Sequence, residues 1–488
     1  MRKITKQSRI VLVELPPTQF GIYNGDPGYD VYSRTNLPAR ALHSLQAILI
    51  RDGWQNVQPI NPLYHGKNKR LTEENERAIF SSDILGVSSI TRTSPQTIEL
   101  IKKYKSANPD GIVIAGGFDP SFRKEEWLKA GADFVVIGEG EITLSQLTER
   151  LTYEKAQFND IAGLAFKKGK EIVITKPRRL LAPDELGNLP LPFYDKQTRA
   201  KIFATVMETT RGCPNACDFC TVTKFYGRMY RQKPLDYVIK GLKDIKNMGK
   251  LVFFTDDNFA ANPERTIELC ERIAKGGLYR RKSFAQVTVK IADNPELLKA
   301  LKKAGIDILC VGIESINEDT LRYYKKPYSA QQNKENIQTL RKAGFWIHGM
   351  MMVGGDGDTP KSLKEDFEWM KRNLDSVQLF APSPFPGSDF SKRMKDEGRI
   401  ITNDFSLYDA QNVVIRPKNF SAFELQKAIN KMYEEFYSFR ESFRRWKTSP
   451  LKDVTFALYV YTHLLGGIKK TLYSPQSIKH LEFLKGLN

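Results

Sequence analysis

The chain has 488 residues, too many for one ordinary hydrophobic core, so we expect two or three domains. Apolar residues make up 41% and charged residues 27%, which excludes an intrinsically disordered chain. A net charge of +19 could attract nucleic acid, anionic lipid or a phosphorylated substrate, or could serve solubility alone, and no nucleic-acid-binding motif accompanies it.

Strand-like and helix-like segments alternate over residues 1–151. Short apolar runs predict strands at 10–15, 84–87, 112–115 and 134–137, and helical spacing predicts helices at 39–50, 96–106 and 141–151. This alternation predicts an α/β domain with a doubly wound, Rossmann-like parallel sheet. Such sheets bind ligands at the carboxyl ends of their strands, where this chain has small and hydroxyl residues.

Three further regions follow. Residues 152–200 indicate a connector with one hairpin and a proline-rich stretch, and residues 201–386 repeat strand–helix units that predict a full or partial (β/α) barrel. Residues 387–488 predict a helical C-terminal region. Its apolar stretch 454–468 is shorter than the roughly 20 residues that cross a bilayer. We expect that stretch to pack on the barrel, with a membrane interface as the alternative.

Three of the five cysteines, Cys213, Cys217 and Cys220, lie within eight residues. This spacing indicates metal ligation in a reducing compartment rather than a disulfide framework. A structural zinc site and a ferredoxin-type cluster would both require four ligands, and no fourth cysteine or histidine is near in sequence. Three ligands therefore suggest an iron–sulfur cluster with one open iron.

The segment 211–220 resembles the cluster loop of the radical S-adenosylmethionine (SAM) superfamily, in which an aromatic residue, here Phe219, precedes the last cysteine. The resemblance implies that Cys213, Cys217 and Cys220 hold a [4Fe–4S] cluster. It further implies that the open iron binds SAM, which one electron cleaves to a 5′-deoxyadenosyl radical that abstracts hydrogen from the substrate. An external donor such as ferredoxin or flavodoxin would supply the electron.

The same resemblance implies contacts with SAM at three strand ends. Asp256 or Asp257 would grip the methionine amino group, the segment ending in Glu314 would contact the ribose or the methionine moiety, and Gly354 and Gly355 would approach adenine. For each acidic residue, a loop carboxylate or a helix cap is the alternative. Cys270 and Cys310 are expected to be buried core thiols.

The segments 83–91, 116–120 and 133–141 resemble the cobalamin-binding domain that precedes many radical SAM barrels. The candidate contacts with the corrin are Ser88, Ser89, Thr91, Gly116, Gly117, Gly138 and Gly140. Two positions depart from the pattern: His65 directly precedes Gly66 without the upstream aspartate of the cobalt-ligand loop, and Asp119 replaces a common histidine. We therefore expect cobalamin without a histidine ligand, or a domain that has lost cobalamin.

Together these features resemble the hopanoid-methylase-like group. The resemblance implies a cobalamin-dependent methyltransferase acting on an unactivated carbon of a hydrophobic or large small molecule, such as a lipid or tetrapyrrole. The alternatives are radical carbon–carbon bond or ring formation with a domain that does not bind cobalamin, and a corrinoid or iron–sulfur carrier. No residue is assigned to control of the substrate radical. We expect a cytoplasmic location, with a membrane-peripheral one as the alternative.

Overall fold

The computed structural model describes residues 3–16, 37–66, 70–249, 251–278, 282–450 and 472–487. These residues form two compact units, the first ending at Ile202 and the second beginning at Phe203. The finer boundaries expected from the sequence, at 151, 200 and 386, remain predictions.

The first unit is built on a seven-stranded sheet in the order β2-β1-β3-β4-β5-β6-β7. Strands β1 to β5 are parallel, and the hairpin β6–β7 adds two antiparallel strands at one edge. The strands are β1 Arg9–Glu14, β2 Asn56–Ile60, β3 Ile84–Ser88, β4 Ile112–Gly116, β5 Phe134–Val136, β6 Leu164–Lys168 and β7 Glu171–Ile174. The predicted doubly wound sheet is confirmed, and part of the expected connector belongs to it.

Strand β2 was not predicted. It reads Asn-Val-Gln-Pro-Ile, and Pro59 both lowers its apolar signal and lacks a backbone N–H. The strand lies at the edge of the sheet, where it pairs with β1 on one side. A proline is tolerated at an edge because one side of the strand needs no ladder hydrogen bonds. Only the pairing with β1 makes this segment a strand.

Helices cover both faces of this sheet, and each face has its own apolar core. The burial alternates along β1, because Ile10 and Leu12 enter one core while Val11 and Val13 enter the other. The helices are α1 Arg40–Arg51, α2 Pro62–His65, α3 Glu73–Phe80, α4 Ser94–Ala107, α5 Phe118–Phe122, α6 Lys124–Lys129, α7 Gly140–Arg150, α8 Pro183–Gly187 and α9 Lys196–Lys201.

The second unit contains a six-stranded parallel sheet in the order β15-β14-β13-β12-β11-β8. Its strands are β8 Ala204–Met207, β11 Leu251–Phe254, β12 Ser283–Val287, β13 Ile306–Glu314, β14 Trp346–Met352 and β15 Ser376–Phe380. Two short antiparallel strands, β9 Thr210–Arg211 and β10 Arg231–Gln232, form a separate pair. Six parallel strands with intervening helices confirm the partial barrel.

Helices connect the strands of the second unit, and Asn294 caps one of them by accepting from the Leu297 N–H. The helices are α10 Val222–Tyr226, α11 Leu235–Asp244, α12 Pro263–Lys275, α13 Pro295–Lys303, α14 Glu318–Tyr323, α15 Ala330–Lys342, α16 Pro360–Asn373, α17 Asp389–Asp396, α18 Ala422–Phe436, α19 Phe439–Thr448 and α20 Pro475–Lys485. The apolar stretch 454–468 lies outside the described residues. Within the described part of the chain, no helix has both the length and the apolarity to span a bilayer.

Candidate functional site

The cysteine loop begins at the carboxyl end of β8, the first strand of the second unit. Arg211 in β9 pairs with Arg231 in β10, and the chain then turns through Gly212 with φ +84°. A Cβ at position 212 would lie 2.2 Å from the backbone oxygen of Met229, so glycine is required at this turn. The turn directs the next residues, from Cys213 on, away from the strand.

Cys213, Cys217 and Cys220 are free thiols, each partly exposed. Burial raises the pKa of Cys220 to about 12 and raises the pKa of Cys213, and the charge of Asp257 adds to both shifts. A bound cationic centre would offset the raised pKa values of Cys213 and Cys220 and hold these thiols as thiolates. Cys270 and Cys310 are buried in α12 and β13, in keeping with the predicted core thiols.

No three His, Cys, Asp or Glu side chains in the described ranges converge as ligands of a single metal ion. A cubane cluster does not require such convergence, because each of its cysteine ligands binds a different iron atom.

A buried ion pair lies beside the cysteine loop. Lys326 Nζ is 2.8 Å from Glu314 Oε1, and both side chains are at least nine-tenths buried. Burial would lower the pKa of Lys326, but the charges of Glu314 and Cys217 raise it above its ordinary value. Lys326 Nζ also lies 5.4 Å from the ring centroid of Phe219. Lys326 thus joins the predicted SAM-binding Glu314 to the cysteine loop.

Glu314 has a strained backbone, with φ +65° at the end of β13. The strand register shifts between Gly312 and Glu314, and the Glu314 side chain folds back over its own strand. A Cβ on Gly312 would lie 3.0 Å from Glu314 Oε1. The absence of a side chain at Gly312 therefore allows the Glu314 carboxylate to lie above the sheet.

The two adjacent aspartates after β11 have different surroundings. Asp256 is fully buried, and its Oδ1 accepts from the Thr209 N–H and from the hydroxyls of Thr209 and Thr210. Burial raises the pKa of Asp256 to about 7, although these hydrogen bonds oppose the shift. Asp257 is partly exposed and acts on the pKa values of Cys213 and Cys220. Of the two predicted candidates, Asp257 is therefore the better placed to contact a ligand beside the cysteine loop.

Gly354 and Gly355 follow β14, and both of their N–H groups donate to Asp358 Oδ2, at 2.9 Å. Asp358 therefore occupies both N–H groups, and its own N–H donates to the Gly355 oxygen at 2.9 Å. A Cβ on Gly355 would lie 2.9 Å from the Tyr324 hydroxyl. The Tyr324 ring packs edge-on against Phe219, with 5.4 Å between the centroids.

Helix α17 also contacts the cysteine loop. Asp218, between two of the cysteines, is buried and forms an ion pair with Arg393 of α17 at 2.7 Å, while its backbone oxygen accepts from the Phe390 N–H. A more exposed pair, Lys224 with Asp389, joins the same loop region to α17. These contacts preorganise the loop.

A row of polar and thiol side chains crosses one face of the barrel sheet. The strand register puts Gln286, Cys310, His348 and Ser376 in one row, and paired residues of parallel strands point to the same face. His348 Nδ1 is 2.9 Å from Ser376 Oγ, whereas its buried Nε2 has no hydrogen-bond partner within the described residues. Burial lowers the pKa of His348 to about 4, so its imidazole is neutral.

In the first unit, the predicted residues line the carboxyl edge of the parallel strands. The strand order reverses between β1 and β3, which is where doubly wound sheets bind ligands. Ser88 at the end of β3 hydrogen-bonds Glu14 at the end of β1, and burial raises the pKa of Glu14 to about 7. The sequence analysis did not identify Glu14, because the end of an apolar run followed by two prolines gave no ligand signal.

Ser89 and Thr91 shape the loop after β3. Ser89 is buried, with its hydroxyl 3.0 Å from Thr93 Oγ1, and Thr91 hydrogen-bonds Asp119. Asp119 also accepts from Trp127 Nε1 at 2.8 Å and pairs with Arg123. The aspartate in place of the common histidine is therefore a buried structural residue.

The four predicted glycines differ in the space around them. A Cβ on Gly117 would lie 2.8 Å from the Ser89 oxygen, so no side chain fits there. Added Cβ atoms at Gly116 and Gly140 would make only ordinary contacts, and one at Gly138 would meet nothing within 4 Å. Ile90 at the same edge is 54% exposed. An edge with open space and exposed backbone fits a flat ligand such as a corrin.

His65 is held on both ring nitrogens. Its Nδ1 accepts from the Asn61 N–H at 3.0 Å, and its Nε2 donates toward Asp195 and Thr198. With both nitrogens in use, His65 cannot ligate cobalt without breaking this network. The geometry supports the prediction that any cobalamin here lacks a histidine ligand from this loop.

Several residues around the sites were missed from the sequence. The residues around the cysteine loop include Lys326, Arg393 and Tyr324, which lie 104 to 180 residues further along the chain than the cysteines. No local sequence motif therefore links them to the cysteines. Glu208 is likewise buried and paired with Lys233 at 2.7 Å just before the cysteine loop. Only Glu208 gives a sequence signal, as a charge directly after an apolar run, and that signal does not identify its partner.

The chain combines a doubly wound domain that has an open ligand edge with a partial barrel that carries a three-cysteine loop. Residues 207–370 match the family described as the radical SAM superfamily, and residues 33–148 match the B12 binding domain. The chain belongs to the radical SAM enzymes that carry a B12-binding domain. Its cofactors are accordingly a [4Fe–4S] cluster, SAM and cobalamin.

Among characterised relatives, the bacteriochlorophyllide d C-12(1)-methyltransferase of Chlorobaculum tepidum is 25% identical over 80% of this chain and 82% of its own length. The anaerobic magnesium-protoporphyrin IX monomethyl ester cyclase of Cereibacter sphaeroides is 26% identical over 82% of this chain and 69% of its own. The hopanoid C-3 methylase of Methylococcus capsulatus is 27% identical over 66% of this chain and 62% of its own.

The fold is similar to that of the cobalamin-dependent SAM radical enzyme OxsB in its aqua-cobalamin-bound structure. The similarity has a TM-score of 0.71 at 17% identity and covers 95% of this chain and 72% of that chain. At this identity the comparison bears on the fold alone.

Proposed function

We propose that this protein is a cobalamin-dependent radical SAM methyltransferase that methylates an unactivated carbon of a large, mainly apolar small molecule. The observation that carries the proposal is the presence in one chain of a B12-binding domain and a radical SAM domain. Methyl transfer needs both a methyl carrier and a means of activating a C–H bond, and each domain fits one of these needs.

In the second unit, Cys213, Cys217 and Cys220 would hold the cluster, and Phe219 would cover one side of it. Asp257 and Glu314 would bind the amino and ribose or methionine groups of SAM, and Gly354 and Gly355 would approach adenine. Lys326 would hold Glu314 in place through its 2.8 Å ion pair. Asp256 would orient the loop through its contacts with Thr209 and Thr210 rather than touch SAM.

When bound, the cluster and SAM supply a hydrogen-abstracting radical, and cobalamin supplies the methyl group. The chain's own residues orient these groups and exclude water. The rings of Phe253 and Phe284 are buried and stacked on each other, and these apolar side chains would help to exclude water from the barrel. His348 and its row of neutral polar neighbours would hydrogen-bond an uncharged group of the substrate.

In the first unit, Ser88, Ser89, Thr91, Gly116, Gly117, Gly138 and Gly140 would form the corrin edge. Gly138 and Gly116 provide open space for close approach, and Ser88 contributes a hydroxyl beside Glu14. Ser89 and Thr91 would act through the loop conformation, since their hydroxyls hydrogen-bond within the protein.

Tetrapyrroles and hopanoid lipids are the substrate classes we favour, because named relatives act on bacteriochlorophyllide, magnesium-protoporphyrin and hopanoids. An external one-electron donor would be required. The second candidate is radical ring formation, favoured by the similarity to the magnesium-protoporphyrin ester cyclase over 82% of this chain.

Anaerobic purification with cobalamin, followed by incubation with a reductant and SAM carrying a deuterated methyl group, distinguishes the candidates. The panel would contain a bacteriochlorophyllide, magnesium-protoporphyrin monomethyl ester and a hopanoid. Methyl transfer requires S-adenosylhomocysteine and 5′-deoxyadenosine in equal amounts and a deuterated product. Deoxyadenosine with an unmethylated, cyclised product would favour the ring-forming alternative, and loss of bound corrin would argue against both cobalamin and methyl transfer.

The cluster assignment has its own test. The triple variant Cys213→Ala, Cys217→Ala, Cys220→Ala should lose the iron, the sulfide and the visible absorbance of the cluster. The matched control is Cys270→Ala with Cys310→Ala, which removes the two buried thiols and should keep about four irons. Normal iron in the triple variant would refute the assignment.

A further inference from the structure

An aromatic and basic surface lies on α19, away from both candidate cofactor sites in sequence. Phe439 is 81% exposed and Phe443 is 47% exposed. Their rings are nearly parallel with 6.3 Å between centroids, and Trp446 continues the row at 5.6 Å from Phe443. Spacings of four and three residues put these rings on one face of the helix.

The opposite face attaches α19 to the second unit through polar residues. Arg445 is buried, with its guanidinium carbon 3.7 Å from the ring centroid of Phe436, and Ser442 is buried beside it. The helix therefore directs its aromatic rings outward and a charged residue inward. This is the reverse of the pattern that packing on a water-exposed surface requires.

Positive charges flank the exposed rings. Arg440, Arg444 and Lys447 are all exposed, and Lys447 Nζ lies 4.7 Å from the ring centroid of Phe443. Glu441 is the one acidic residue of α19, and it pairs with Arg444. We call Phe439, Arg440, Phe443, Arg444 and Lys447 the aromatic-basic surface.

Exposed apolar residues are concentrated in this part of the chain. Twelve large hydrophobic side chains are exposed in the described ranges, and half of them lie in 439–448 and 472–487. The second group is Tyr473, Ile478, Phe483 and Leu487. Isolated exposed apolar residues are ordinary, but contiguous ones mark an interaction surface, and the rings of Phe439 and Phe443 are contiguous.

We propose that the aromatic-basic surface docks this protein on an anionic phospholipid bilayer. Aromatic rings flanked by lysine and arginine suit the headgroup region, where the rings enter the interface and the cations meet anionic lipids. A second copy of the chain is a poorer occupant, since pairing would bring together two sets of cations on chains of net charge +19. The inference is independent of the proposed reaction.

The test uses the full chain with its cluster loaded and vesicles sedimented at low salt. One set of vesicles is phosphatidylcholine, and the other contains one-third phosphatidylglycerol. The wild type should bind the phosphatidylglycerol vesicles, and added salt should weaken that binding. Phe439→Ser with Phe443→Ser should lower partitioning at least about tenfold. Arg440→Ser with Lys447→Ser should lower it roughly fivefold for each charge.

The matched control is Ile50→Ser with Tyr153→Ser, which removes two comparably exposed apolar side chains from the first unit and should leave binding unchanged. Circular dichroism and iron content establish that each variant is folded. The proposal is overturned if the wild type does not bind phosphatidylglycerol vesicles, or if the α19 variants bind as it does. It is also overturned if light scattering shows a wild-type oligomer that the phenylalanine variant dissociates, because the surface would then join two copies.

Discussion

At the residue scale, the adjacent carboxylates Asp256 and Asp257 divide two tasks. Asp256 accepts three hydrogen bonds on one oxygen, while its other oxygen is buried without a partner among the described residues. That arrangement suits a protonated carboxyl group, since the proton can reside on the second oxygen. Asp257 remains partly exposed beside the cysteines. Sequence alone offers no way to choose between neighbours of the same type.

Asp256 predicts a pH effect of definite sign. Its pKa of about 7 in the folded protein exceeds the ordinary 3.8, so the folded state binds this proton more tightly than the unfolded chain. Its contribution to stability is therefore full below about pH 4 and is lost as the pH rises through 7. Asp256→Asn keeps the acceptor oxygen and removes the titration.

The Asp256→Asn variant should be more stable than the wild type at about pH 8, by roughly 2–4 kcal/mol, and similar at about pH 4.5. Urea unfolding at both pH values measures this difference. A variant less stable at about pH 8 would mean that the folded protein does not raise the pKa of Asp256 and that the hydrogen bonds stabilise its carboxylate.

The pair Lys326–Glu314 gives a second residue-level prediction. Lys326→Met leaves the Glu314 carboxylate buried and unpaired, which should cost about 3–5 kcal/mol in the free energy of unfolding. Adding Glu314→Gln removes the stranded charge and should restore part of that loss. Equilibrium dialysis with labelled SAM should show weaker binding for both variants. Additive losses in unfolding free energy would mean that the two residues do not interact.

At the scale of elements, short helices and loops are held by long-range polar contacts. Helix α2 has only four residues, and His65 at its end reaches Asp195 and Thr198, the cap and an early residue of α9. This network occupies the loop where a cobalt-ligating histidine would otherwise stand. The contact between α2 and α9 thus replaces a ligand role with a structural one.

His65→Leu should lower the stability of the first unit by about 1–3 kcal/mol, because buried partners lose their hydrogen bonds. Corrin binding per folded protein should remain near the wild-type value. Gly116→Leu is the opposite control, since it adds a side chain at the open edge where a Cβ meets nothing closer than 3.7 Å. That variant should fold and lose corrin. Loss of corrin in a stable His65→Leu variant would identify His65 as the ligand.

Helix α17 holds the cysteine loop through a buried pair and an exposed one. Arg393→Met leaves Asp218 buried without its 2.7 Å partner, which should cost about 3 kcal/mol and reduce the iron retained after gel filtration. Lys224→Met breaks the exposed pair with Asp389 and should cost under about 1 kcal/mol, with iron retained. Iron content and thermal melting measure both. Equal iron in the two variants would refute the positioning role of Arg393.

At the scale of the whole molecule, each unit contains a buried neutral histidine. Burial lowers the pKa of His43 in the first unit and of His348 in the second from 6.5 to about 4. His43 bonds Phe193 O and lies 3.1 Å from the Tyr64 hydroxyl. Because the folded pKa values are depressed, this stability is full above pH 6.5 and is lost as the pH falls toward 4.

Each histidine should therefore contribute up to roughly 3 kcal/mol of destabilisation between about pH 6.5 and 4, opposed by the raised pKa values of Glu14 in the first unit and Asp256 in the second. Calorimetry of histidine variants against the wild type isolates this contribution. His43→Gln should reduce the acid sensitivity of the first unit alone, and His348→Gln that of the second unit alone. Each variant serves as the control for the other. Acid sensitivity unchanged in both would place the titrating groups elsewhere.

The sequence by itself determined the class of fold and the cysteine loop. Alternating apolar runs predict the parallel strands because a sheet covered on both faces needs continuous apolar segments, as in β3 and β4. Cys213, Cys217 and Cys220 lie so close along the chain that one loop brings them together. Features of this kind lie within one short stretch of chain, so they can be recognised without knowing which distant residues they contact.

Tertiary structure alone decided which polar residues meet. Lys326 reaches Glu314 and Cys217, and Arg393 reaches Asp218, only because the sheet brings distant strand ends to one edge. Residues 56–60 form strand β2 only through their pairing with β1. Asp256 and Asp257 differ in their hydrogen bonds only in the folded chain, where Thr209 and Thr210 bond to Asp256. Such contacts depend on burial and long-range geometry, which the order of residues along the chain does not express.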